Sequence, residues 1–293
     1  MLTGIHFLLS YACTSECDHC FLYCSPNAKG TFTLAQLKSA LEEIRKIHSI
    51  ETIYFEGGEP FLYYPLMLEG IRIANNMGFN IGIVSNSYWA TNPEDAELWL
   101  KPLLQYNITD LSISDDALHS KDKPQNLAKY ALAAAEKLGF PVEPICLESP
   151  ADQLDGVTDP EFDVMLKGRA VEKLIENLPT KPWDTLNECS YEDFENPSRV
   201  HIDTYGHVHI CQGVCMGNMW QTPLSEIVNN YNGKSHPVCA PLIKGGPAQL
   251  VREYNIPHEE QYVDACHLCF LTRKALMEKF PQYLAPNQVY GLE

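Results

Sequence analysis

Segments with the pattern of strands alternate with segments with the pattern of helices along the first half of the chain. Apolar or β-branched runs typical of strands occupy residues 5–9, 51–55, 80–84, 110–114 and 142–147. Helix signatures fill the intervals between them, at residues 33–47, 66–76, 93–105 and 125–138. This rhythm predicts an α/β fold in which βαβ units with right-handed crossovers build a parallel sheet.

A polar cluster follows each of the first four predicted strands. These clusters are the cysteine loop at residues 13–20, Gly57-Gly58-Glu59-Pro60, Ser85-Asn86 and Ser114-Asp115. In parallel sheets the functional groups gather beyond the carboxyl ends of the strands. We therefore expect all four clusters to converge on one edge of the sheet.

The first of these clusters contains three cysteines, Cys13, Cys17 and Cys20, in C-x3-C-x2-C spacing. Thiolates presented from loops hold iron–sulfur clusters, and a cubane normally takes four of them. Three thiolates leave one iron without a protein ligand, and an open position on a metal is where chemistry occurs. Spacings of two to four residues are also ordinary for structural zinc sites. By spacing alone, iron and zinc are equally good interpretations.

The number and grouping of the cysteines favour metal ligation over disulfides. The chain has 293 residues and 11 cysteines, grouped near its start and in its last third with only Cys146 between. Disulfides are rare in the cytosol, where clustered cysteines are more often metal ligands or reactive thiols. Residues 1–12 lack the basic residues of a signal peptide, and no run of 18 apolar residues is present. We therefore expect a cytoplasmic protein that does not span a membrane.

The charge of the chain argues against one class of partner. Its net charge is −17, from 21 basic and 38 acidic residues. A field of this sign repels phosphate backbones, so we expect no general nucleic-acid binding.

The cysteine loop and the Gly-Gly-Glu-Pro motif, one βα unit apart, resemble the radical S-adenosylmethionine (radical SAM) enzymes over about residues 1–148. The resemblance implies that Cys13, Cys17 and Cys20 bind a [4Fe–4S] cluster whose fourth iron chelates S-adenosylmethionine. The residues that it assigns to S-adenosylmethionine are Gly57, Gly58 and Glu59, with Ser85, Asn86, Ser114 and Asp115 matching by position. The resemblance thus moves the interpretation of the three cysteines from zinc to iron.

The resemblance also implies the chemistry. In this family a low-potential cluster donates one electron to a sulfonium, and the resulting 5′-deoxyadenosyl radical removes a hydrogen atom from the substrate. Cys24 follows Cys20 by four residues and is not expected to be a fourth ligand, because a cluster fully ligated by protein could not bind S-adenosylmethionine. We interpret Cys24 as a buried thiol.

Order is weaker after residue 148. Residues 162–166 are predicted as a sixth strand, 169–177 as a helix, 232–247 as a loop rich in Gly and Pro, and 271–279 as the final helix. Residues 200–203 and 207–210 predict a hairpin with Gly206 in its turn. His207 and His209 alternate along its second strand, and we expect them on a solvated strand face.

The later cysteines resemble the auxiliary-cluster extension of radical SAM enzymes called SPASM, or its shortened form called twitch. The resemblance covers about residues 168–270 and includes Lys167-Gly168-Arg169-Ala170 and the G-x4-C pattern that ends at Cys211. It implies one auxiliary [4Fe–4S] cluster held by Cys189, Cys211, Cys266 and Cys269, with Cys215 and Cys239 as alternative ligands. A structural zinc site of the C-x2-C type remains the alternative.

These patterns lead to one overall prediction. The fold is a partial (β/α)6 barrel of the TIM type at residues 1–170, followed by a small irregular α+β auxiliary-cluster region at 171–293. The function is that of a radical SAM enzyme acting on a peptide or small protein, with a small molecule of cofactor or natural-product biosynthesis as the alternative substrate. The expected partners are this substrate and an electron donor such as ferredoxin or flavodoxin. The alternative from another class is a non-catalytic zinc or electron-transfer protein.

Overall fold

A computed structural model describes residues 1–120, 126–154 and 161–292 of the chain. The strands are β1 (Gly4–Ser10), β2 (Thr52–Gly57), β3 (Asn80–Ser85), β4 (Ile108–Ser114), β5 (Val142–Ile145), β6 (Lys181–Pro182), β7 (Arg199–Asp203), β8 (His207–Cys211), β9 (Val214–Asn218) and β10 (Gln261–Tyr262). The α-helices are α1 (Leu34–Ile44), α2 (Tyr64–Asn76), α3 (Pro93–Leu100), α4 (Ala117–Ser120), α5 (Ala128–Leu138), α6 (Ala170–Lys173), α7 (Leu224–Asn230), α8 (Cys239–Tyr254) and α9 (Ala265–Ala275). No helix within the described ranges is long and apolar enough to cross a membrane.

An eight-stranded sheet organises these elements in the order β5-β4-β3-β2-β1-β7-β8-β9. Strands β1 to β5 and β7 are parallel, whereas β8 and β9 continue the sheet as antiparallel strands. The parallel α/β fold class is therefore confirmed. Within the described residues the sheet is open, with β5 and β9 at its two edges. It also runs across residue 170, the predicted boundary between the two regions.

The sixth parallel strand is not the one that the sequence predicts. The apolar side chains of residues 162–166 are buried in a small cluster with Leu178 and form no strand. Strand β7 takes the sixth place instead, on the other side of β1, where His6 lies opposite His201. The helix predicted at 169–177 is reduced to the single turn α6. A short apolar run cannot by itself distinguish a strand from another buried segment, and this ambiguity explains the error.

Helices α1 and α9 begin at side-chain caps, whereas α2, α5, α6, α7 and α8 have no side-chain cap hydrogen bond. At the start of α1, Thr33 Oγ1 accepts a hydrogen bond from Gln36 N at 3.2 Å, and Thr33 N donates to Gln36 Oε1 at 2.9 Å. The helix predicted from residue 125 is α5, and residue 125 itself lies outside the described residues. The last predicted helix begins earlier than expected, because Asp264 caps α9 by accepting from His267 N at 2.7 Å.

Helix α8 is not predicted from the sequence, because the segment contains the helix-breaking residues Gly245, Gly246 and Pro247. The segment 232–247 is predicted as a loop, yet α8 begins at Cys239 and its backbone departs from helical geometry only at Gly245 and Gly246. Gly246 has φ +61°, and a Cβ there would lie 2.3 Å from the backbone of Asn187. The break therefore lets the chain pass closely under the segment that precedes Cys189.

The two faces of the sheet have different neighbours. Ile5, Phe7 and Leu9 of β1 are buried in one apolar cluster together with residues of α1, α2, α3 and α5. Side chains alternate along a strand, so His6 points to the opposite face, where its ring stacks on Tyr54 with centroids 4.3 Å apart. We call this opposite side the inner face of the sheet.

The C-terminal segment packs against the inner-face end of β1. A second apolar cluster joins Leu8 and Tyr11 to Ile210 of β8, Leu250 of α8 and Phe270 of α9. Both later helices are thereby fixed next to the loop that follows β1. This packing brings the two cysteine-rich parts of the chain into one neighbourhood.

Two glycines at the end of β2 allow a close backbone contact with the end of β1. Gly58 N donates to Ser10 O at 2.7 Å, and Glu59 N donates to Ala12 O at 3.0 Å. A Cβ at Gly58 would lie 2.1 Å from Ala12 O, and Gly57 has φ +124°. Only residues without a side chain fit here, so the glycines fix the start of the cysteine loop against β2.

We expect Gly58→Ala to destabilise the protein. The added methyl group overlaps backbone atoms that cannot move without displacing the loop, so the free energy of unfolding should fall by about 1–3 kcal/mol. Urea denaturation under anaerobic conditions measures this change.

Gly217→Ala is the matched control. A Cβ at Gly217 in β9 makes only an ordinary contact, 3.4 Å from Ile227. Its stability should therefore remain close to that of the unmodified protein. Equal stabilities for the two variants would show that the contact between β2 and the cysteine loop is not a tight one.

Candidate active site

The cysteine loop follows β1 and is held in place by backbone contacts and by one arginine. Cys13 N donates to Ser25 O at 3.0 Å, which closes the loop on itself. The guanidinium of Arg169 donates from Nη1 to Cys17 O at 2.7 Å and from Nη2 to Cys24 O at 2.9 Å. Arg169 is only 5% exposed, so these are buried bonds that fix the loop from behind.

The three thiols of the loop have different surroundings. Cys13 is buried, and its Sγ accepts from Asn86 Nδ2 and from Ser15 N, both at 3.4 Å. Burial raises the pKa of Cys13 to about 11. The Cys20 thiol lies against Cys24, and the hydrogen bond from Cys24 lowers the pKa of Cys20 below its ordinary value. Cys24 is thus a buried thiol, as predicted, but one in direct contact with Cys20.

Glu59 is fully buried, and its carboxylate bonds to the protein itself. Oε1 accepts from Phe61 N and from Ser85 Oγ, each at 3.0 Å, while Oε2 accepts from Asn86 N at 2.7 Å. The carboxylate therefore joins the end of β2 to the end of β3. Its geometry positions the neighbouring residues Phe61, Ser85 and Asn86.

The remaining strand-end residues lie at the same edge but differ in their contacts. Asn86 reaches the cysteine loop, bonding both Cys13 and, at 3.1 Å, Thr14 Oγ1. Ser114 is buried at the end of β4. The side chain of Asp115 accepts from Asn126 Nδ2 at 2.6 Å. Asn86 is therefore the strand-end side chain for which the structure gives direct contact with a cluster-loop thiol.

A histidine pair next to the cysteine loop was not recognised as a pair from the sequence. His19 Nε2 and His119 Nε2 lie 3.1 Å apart, and His119 Nδ1 lies 2.9 Å from both carboxylate oxygens of Asp116. Burial lowers the pKa of His19 to about 4. The D-x2-H pattern that follows β4 was the available signal for its partners.

The four cysteines predicted for the auxiliary site line one cavity of about 620 Å³. Cys189 lies in the loop between β6 and β7, and Cys211 ends β8. Cys266 and Cys269 are in the first turn and a half of α9. Residues three apart in a helix share a face, so the capped start of α9 presents both of its thiols to the same cavity.

Two buried cations contact this cavity. Lys167 Nζ lies 3.5 Å from Cys211 Sγ, and Arg273 Nη1 lies 4.0 Å from the same sulfur. They are 3% and 1% exposed, and among the described residues neither has a carboxylate oxygen within 4 Å. Burial disfavours the charged guanidinium, but Cys269 and the other thiols raise the pKa of Arg273 above its ordinary value. The cavity is therefore suited to a group with negative charge.

The spacing of the thiols separates two kinds of metal site. Thiolates bound to a tetrahedral zinc at about 2.3 Å have sulfurs about 3.8 Å apart. Within the described residues, no three of the cysteine sulfurs lie within 4.8 Å of one another. The four thiols of this cavity are therefore not gathered at the spacing of a closed zinc site.

The two alternative ligands have other neighbours. Cys215 is fully buried, with Sγ 3.5 Å from His209 Nδ1 and 3.4 Å from Ala285 O. Cys239 is also fully buried, at the start of α8, and its thiol bonds Tyr231. Neither residue is among those that line the cavity of the four cysteines.

The expectation that His207 and His209 form a solvated strand face is wrong. His209 is fully buried, and both rings face the carboxylate of Asp203, with His207 Nδ1 at 3.0 Å and His209 Nε2 at 3.3 Å from Oδ2. The alternation was correctly recognised, but β8 is covered by the C-terminal segment on this face. A strand pattern does not indicate which face a later part of the chain will cover.

Comparison with known proteins identifies the class of enzyme. The family model of the Radical SAM superfamily matches residues 7–167, which is more than half of the chain and includes the cysteine loop and the ends of β2 to β4. The protein belongs to the radical SAM superfamily, and it is an enzyme of that superfamily.

Three similar proteins carry names that describe what they act on or were crystallised with. YydG of Bacillus subtilis (strain 168), provisionally named a peptide biosynthesis protein, is 23% identical over 95% of this chain and 83% of its own length. An S-adenosylmethionine-dependent nucleotide dehydratase of Selenomonas ruminantium is 25% identical over 41% of this chain and 42% of its own. The structure of BtrN in complex with AdoMet and 2-DOIA, 18% identical, superposes with a TM-score of 0.50 over 78% of this chain and 83% of BtrN, which shows a shared fold.

We expect Glu59→Gln to destabilise the site. A glutamine has one oxygen for three donors, so its NH2 group must face either Asn86 N or the pair formed by Phe61 N and Ser85 Oγ. Leaving a buried donor without an acceptor costs about 1–3 kcal/mol of the free energy of unfolding. Urea denaturation measures the loss.

Glu69→Gln is the matched control, because Glu69 lies on the surface of α2 and bonds only Arg72. An exposed pair of this kind contributes little to stability, so this variant should unfold like the unmodified protein. If Glu59→Gln were as stable as Glu69→Gln, the carboxylate would not be the link between β2 and β3.

Proposed function

We propose that this radical SAM enzyme abstracts a hydrogen atom from a peptide or small protein and thereby modifies it. The observation that carries the proposal is the position of the three-cysteine loop, pressed against Gly57 and Gly58 at the carboxyl ends of the parallel strands. In the proposal, Cys13, Cys17 and Cys20 hold a [4Fe–4S] cluster, and S-adenosylmethionine binds beside it.

The roles of the other strand-end residues follow from their contacts. When bound, the cluster and S-adenosylmethionine supply reductive cleavage to a 5′-deoxyadenosyl radical. Arg169 donates hydrogen bonds to the carbonyl oxygens of Cys17 and Cys24. Glu59 links the end of β2 to the end of β3. Asn86 orients Cys13 through its amide. Gly57, Gly58 and Glu59, with Ser85, Asn86, Ser114 and Asp115, form the edge that we assign to S-adenosylmethionine.

We also propose one auxiliary [4Fe–4S] cluster, held by Cys189, Cys211, Cys266 and Cys269. The shared cavity and the two buried cations Lys167 and Arg273, which have no carboxylate partner among the described residues, support this assignment. A thiolate-ligated cluster is anionic and would supply the negative charge that both cations require. In this division of function, residues 1–170 form the S-adenosylmethionine core and residues 171–293 hold the auxiliary cluster.

The extent of the similarity to named proteins favours a peptide substrate over a small molecule. YydG, named for peptide biosynthesis, aligns over nearly the whole chain, including the auxiliary cysteines' region. The nucleotide dehydratase aligns over less than half of it. The second candidate, a small-molecule substrate, therefore rests on the shorter similarity. We place the reaction in the cytoplasm, with a ferredoxin or flavodoxin as electron donor.

The test of the substrate class is turnover under anaerobic conditions. The reconstituted protein is supplied with S-adenosylmethionine and dithionite, and 5′-deoxyadenosine is measured alone, with short peptides encoded beside the gene, and with a panel of nucleotides and aminosugars. Stimulation with a mass change in a peptide supports the proposal. Stimulation by the small molecules alone would support the second candidate. If S-adenosylmethionine stayed intact in every reaction, the proposal would fail and the alternative of a non-catalytic metal protein would be favoured.

We expect Cys17→Ala to abolish formation of 5′-deoxyadenosine and to remove about four iron atoms per chain, because one thiolate of the catalytic cluster is lost. Cys24→Ala should retain iron and activity, since its thiol is not assigned as a ligand. Iron and sulfide determination with product assay measures both. Cys146→Ala, an exposed lone cysteine, is the control. Loss of the cluster in Cys24→Ala but not in Cys17→Ala would reverse the assignment.

We expect the double variant Cys189→Ala with Cys211→Ala to lose about one cubane of iron while the Cys13 site keeps its own. The double variant Cys215→Ala with Cys239→Ala, also two buried cysteines of the same region, should lose none. Mössbauer spectroscopy and iron analysis distinguish the outcomes. If the unmodified protein contained zinc and only the iron of one cubane, the auxiliary cluster would be contradicted. The proposal for the Cys13 site would remain.

A further inference from the structure

The inner face of the sheet contains a group of metal-ligand side chains apart from both cysteine sites. His6 of β1, Glu56 of β2 and His201 of β7 each offer a ligand atom, and these atoms lie within 4.8 Å of one another. The parallel register places them on three adjacent strands, with His6 directly opposite His201. Their side chains are 15%, 17% and 6% exposed, so the group is largely enclosed but reachable.

The distances between these atoms match those between ligands of one ion. His6 Nδ1 lies 3.1 Å from Glu56 Oε2, and His201 Nε2 lies 3.2 Å from Glu56 Oε1. Nitrogen and oxygen ligands bound at about 2.1 Å with tetrahedral or octahedral angles are about 3.0–3.4 Å apart. The sheet therefore holds the three side chains at ligand spacing. Hydrogen bonds of ordinary length would give the same distances, so a second observation has to decide.

That observation is the hydrogen bonding of the His201 ring. Neither neutral tautomer of this ring suits both of the groups that face its Nε2 atom. Lys167 can only donate, and it bonds Gln212 Oε1 at 2.7 Å, so the other end of that amide is its NH2 group. This NH2 group lies 3.4 Å from His201 Nε2, the same nitrogen that faces Glu56. His201 Nδ1 is buried with no hydrogen-bond partner among the described residues in either tautomer, so the conflict that distinguishes the tautomers lies at Nε2.

Each neutral tautomer leaves one conflict. With the proton on Nε2, that N–H donates to Glu56 Oε1 at 3.2 Å but also faces the amide donor of Gln212 at 3.4 Å. With the proton on Nδ1, the lone pair of Nε2 faces a carboxylate oxygen of Glu56. A cation placed between Nε2 and the carboxylate removes the repulsion in the second case.

We propose that His6, Glu56 and His201 bind one divalent transition-metal ion on the inner face of the sheet. Two imidazoles and one carboxylate suit Zn²⁺, Fe²⁺ or Mn²⁺, and they leave coordination positions open for water or for an oxygen of a bound molecule. The site is separate from the cysteine sites in its ligand chemistry, and it does not depend on the identity of the substrate.

A neighbouring group, Asp203, His207 and His209, meets the same distance criterion but is a poorer candidate. Asp203 is fully buried, and its Oδ2 already accepts from Tyr11 at 3.0 Å while Oδ1 accepts from His207 N at 2.9 Å. A metal here would have to displace these bonds. The comparison makes His207 a useful control residue for the test.

The test is equilibrium dialysis of the cluster-loaded protein against Zn²⁺, followed by determination of zinc, iron and sulfide per chain. We expect one equivalent of zinc in the unmodified protein. His6→Gln and Glu56→Gln should each bind that equivalent at least about tenfold more weakly, while their iron and sulfide remain unchanged. His207→Gln and the surface variant His48→Gln should bind zinc like the unmodified protein.

A second readout is the thermal unfolding of the same proteins, which reports the site without reference to activity. Zinc should raise the Tm of the unmodified protein and of His207→Gln, but not of His6→Gln or Glu56→Gln. The proposal is overturned if the unmodified protein binds no zinc, if His6→Gln and Glu56→Gln bind it equally well, or if His207→Gln loses it. None of these results would affect the assignment of the Cys13 site.

Discussion

The contact between the end of β2 and the start of the cysteine loop is the constraint on which the candidate active site depends. Gly58 and Glu59 donate their backbone N–H groups to Ser10 and Ala12, at a separation that leaves no room for a side chain at residue 58. Cys13 follows directly, so its position is set by backbone atoms and not by flexible side chains. The buried carboxylate of Glu59 extends the same constraint to β3 and hence to Asn86, which bonds the Cys13 sulfur. Three strand ends are in this way fixed relative to one thiol.

A short segment between β5 and β7, Lys167-Gly168-Arg169, connects the two cysteine sites. Arg169 bonds carbonyls of the Cys13 loop, and Lys167 reaches Cys211 and Gln212. Gly168 has φ +63°, and a Cβ there would lie 2.4 Å from the backbone of Phe21, so the segment fits tightly against the loop. Lys167 and Arg169 therefore contact different groups of cysteines from one tight turn. This geometry couples the placement of the thiols of the Cys13 loop to that of the cavity lined by the four later cysteines.

Interactions close in sequence were the ones that could be predicted. The capping box of α1, the alternation of five strands with four helices, the hairpin turn at Gly206 and the strand-end polar clusters all follow from local patterns. The errors concern long-range choices. The sixth parallel strand is β7 and not residues 162–166, because either run is apolar enough and only the packing against β1 decides between them. Likewise, the burial of His209 depends on its contacts with Asp203 and Cys215, which lie on the two neighbouring strands and which no local pattern reveals.

The sequence by itself determined the chemistry of the first site: three thiolates on one loop, glycines one βα unit later, and the superfamily that both define. It also supplied the four auxiliary cysteines as a set. Only the tertiary structure decided that these four share one cavity with Lys167 and Arg273, and that His6, Glu56 and His201 meet on the inner face. The physical reason is that spacing along the chain fixes a ligand set only when its members lie in one loop or one helix turn. Ligands drawn from separate strands meet only through sheet register and burial, which belong to the fold as a whole.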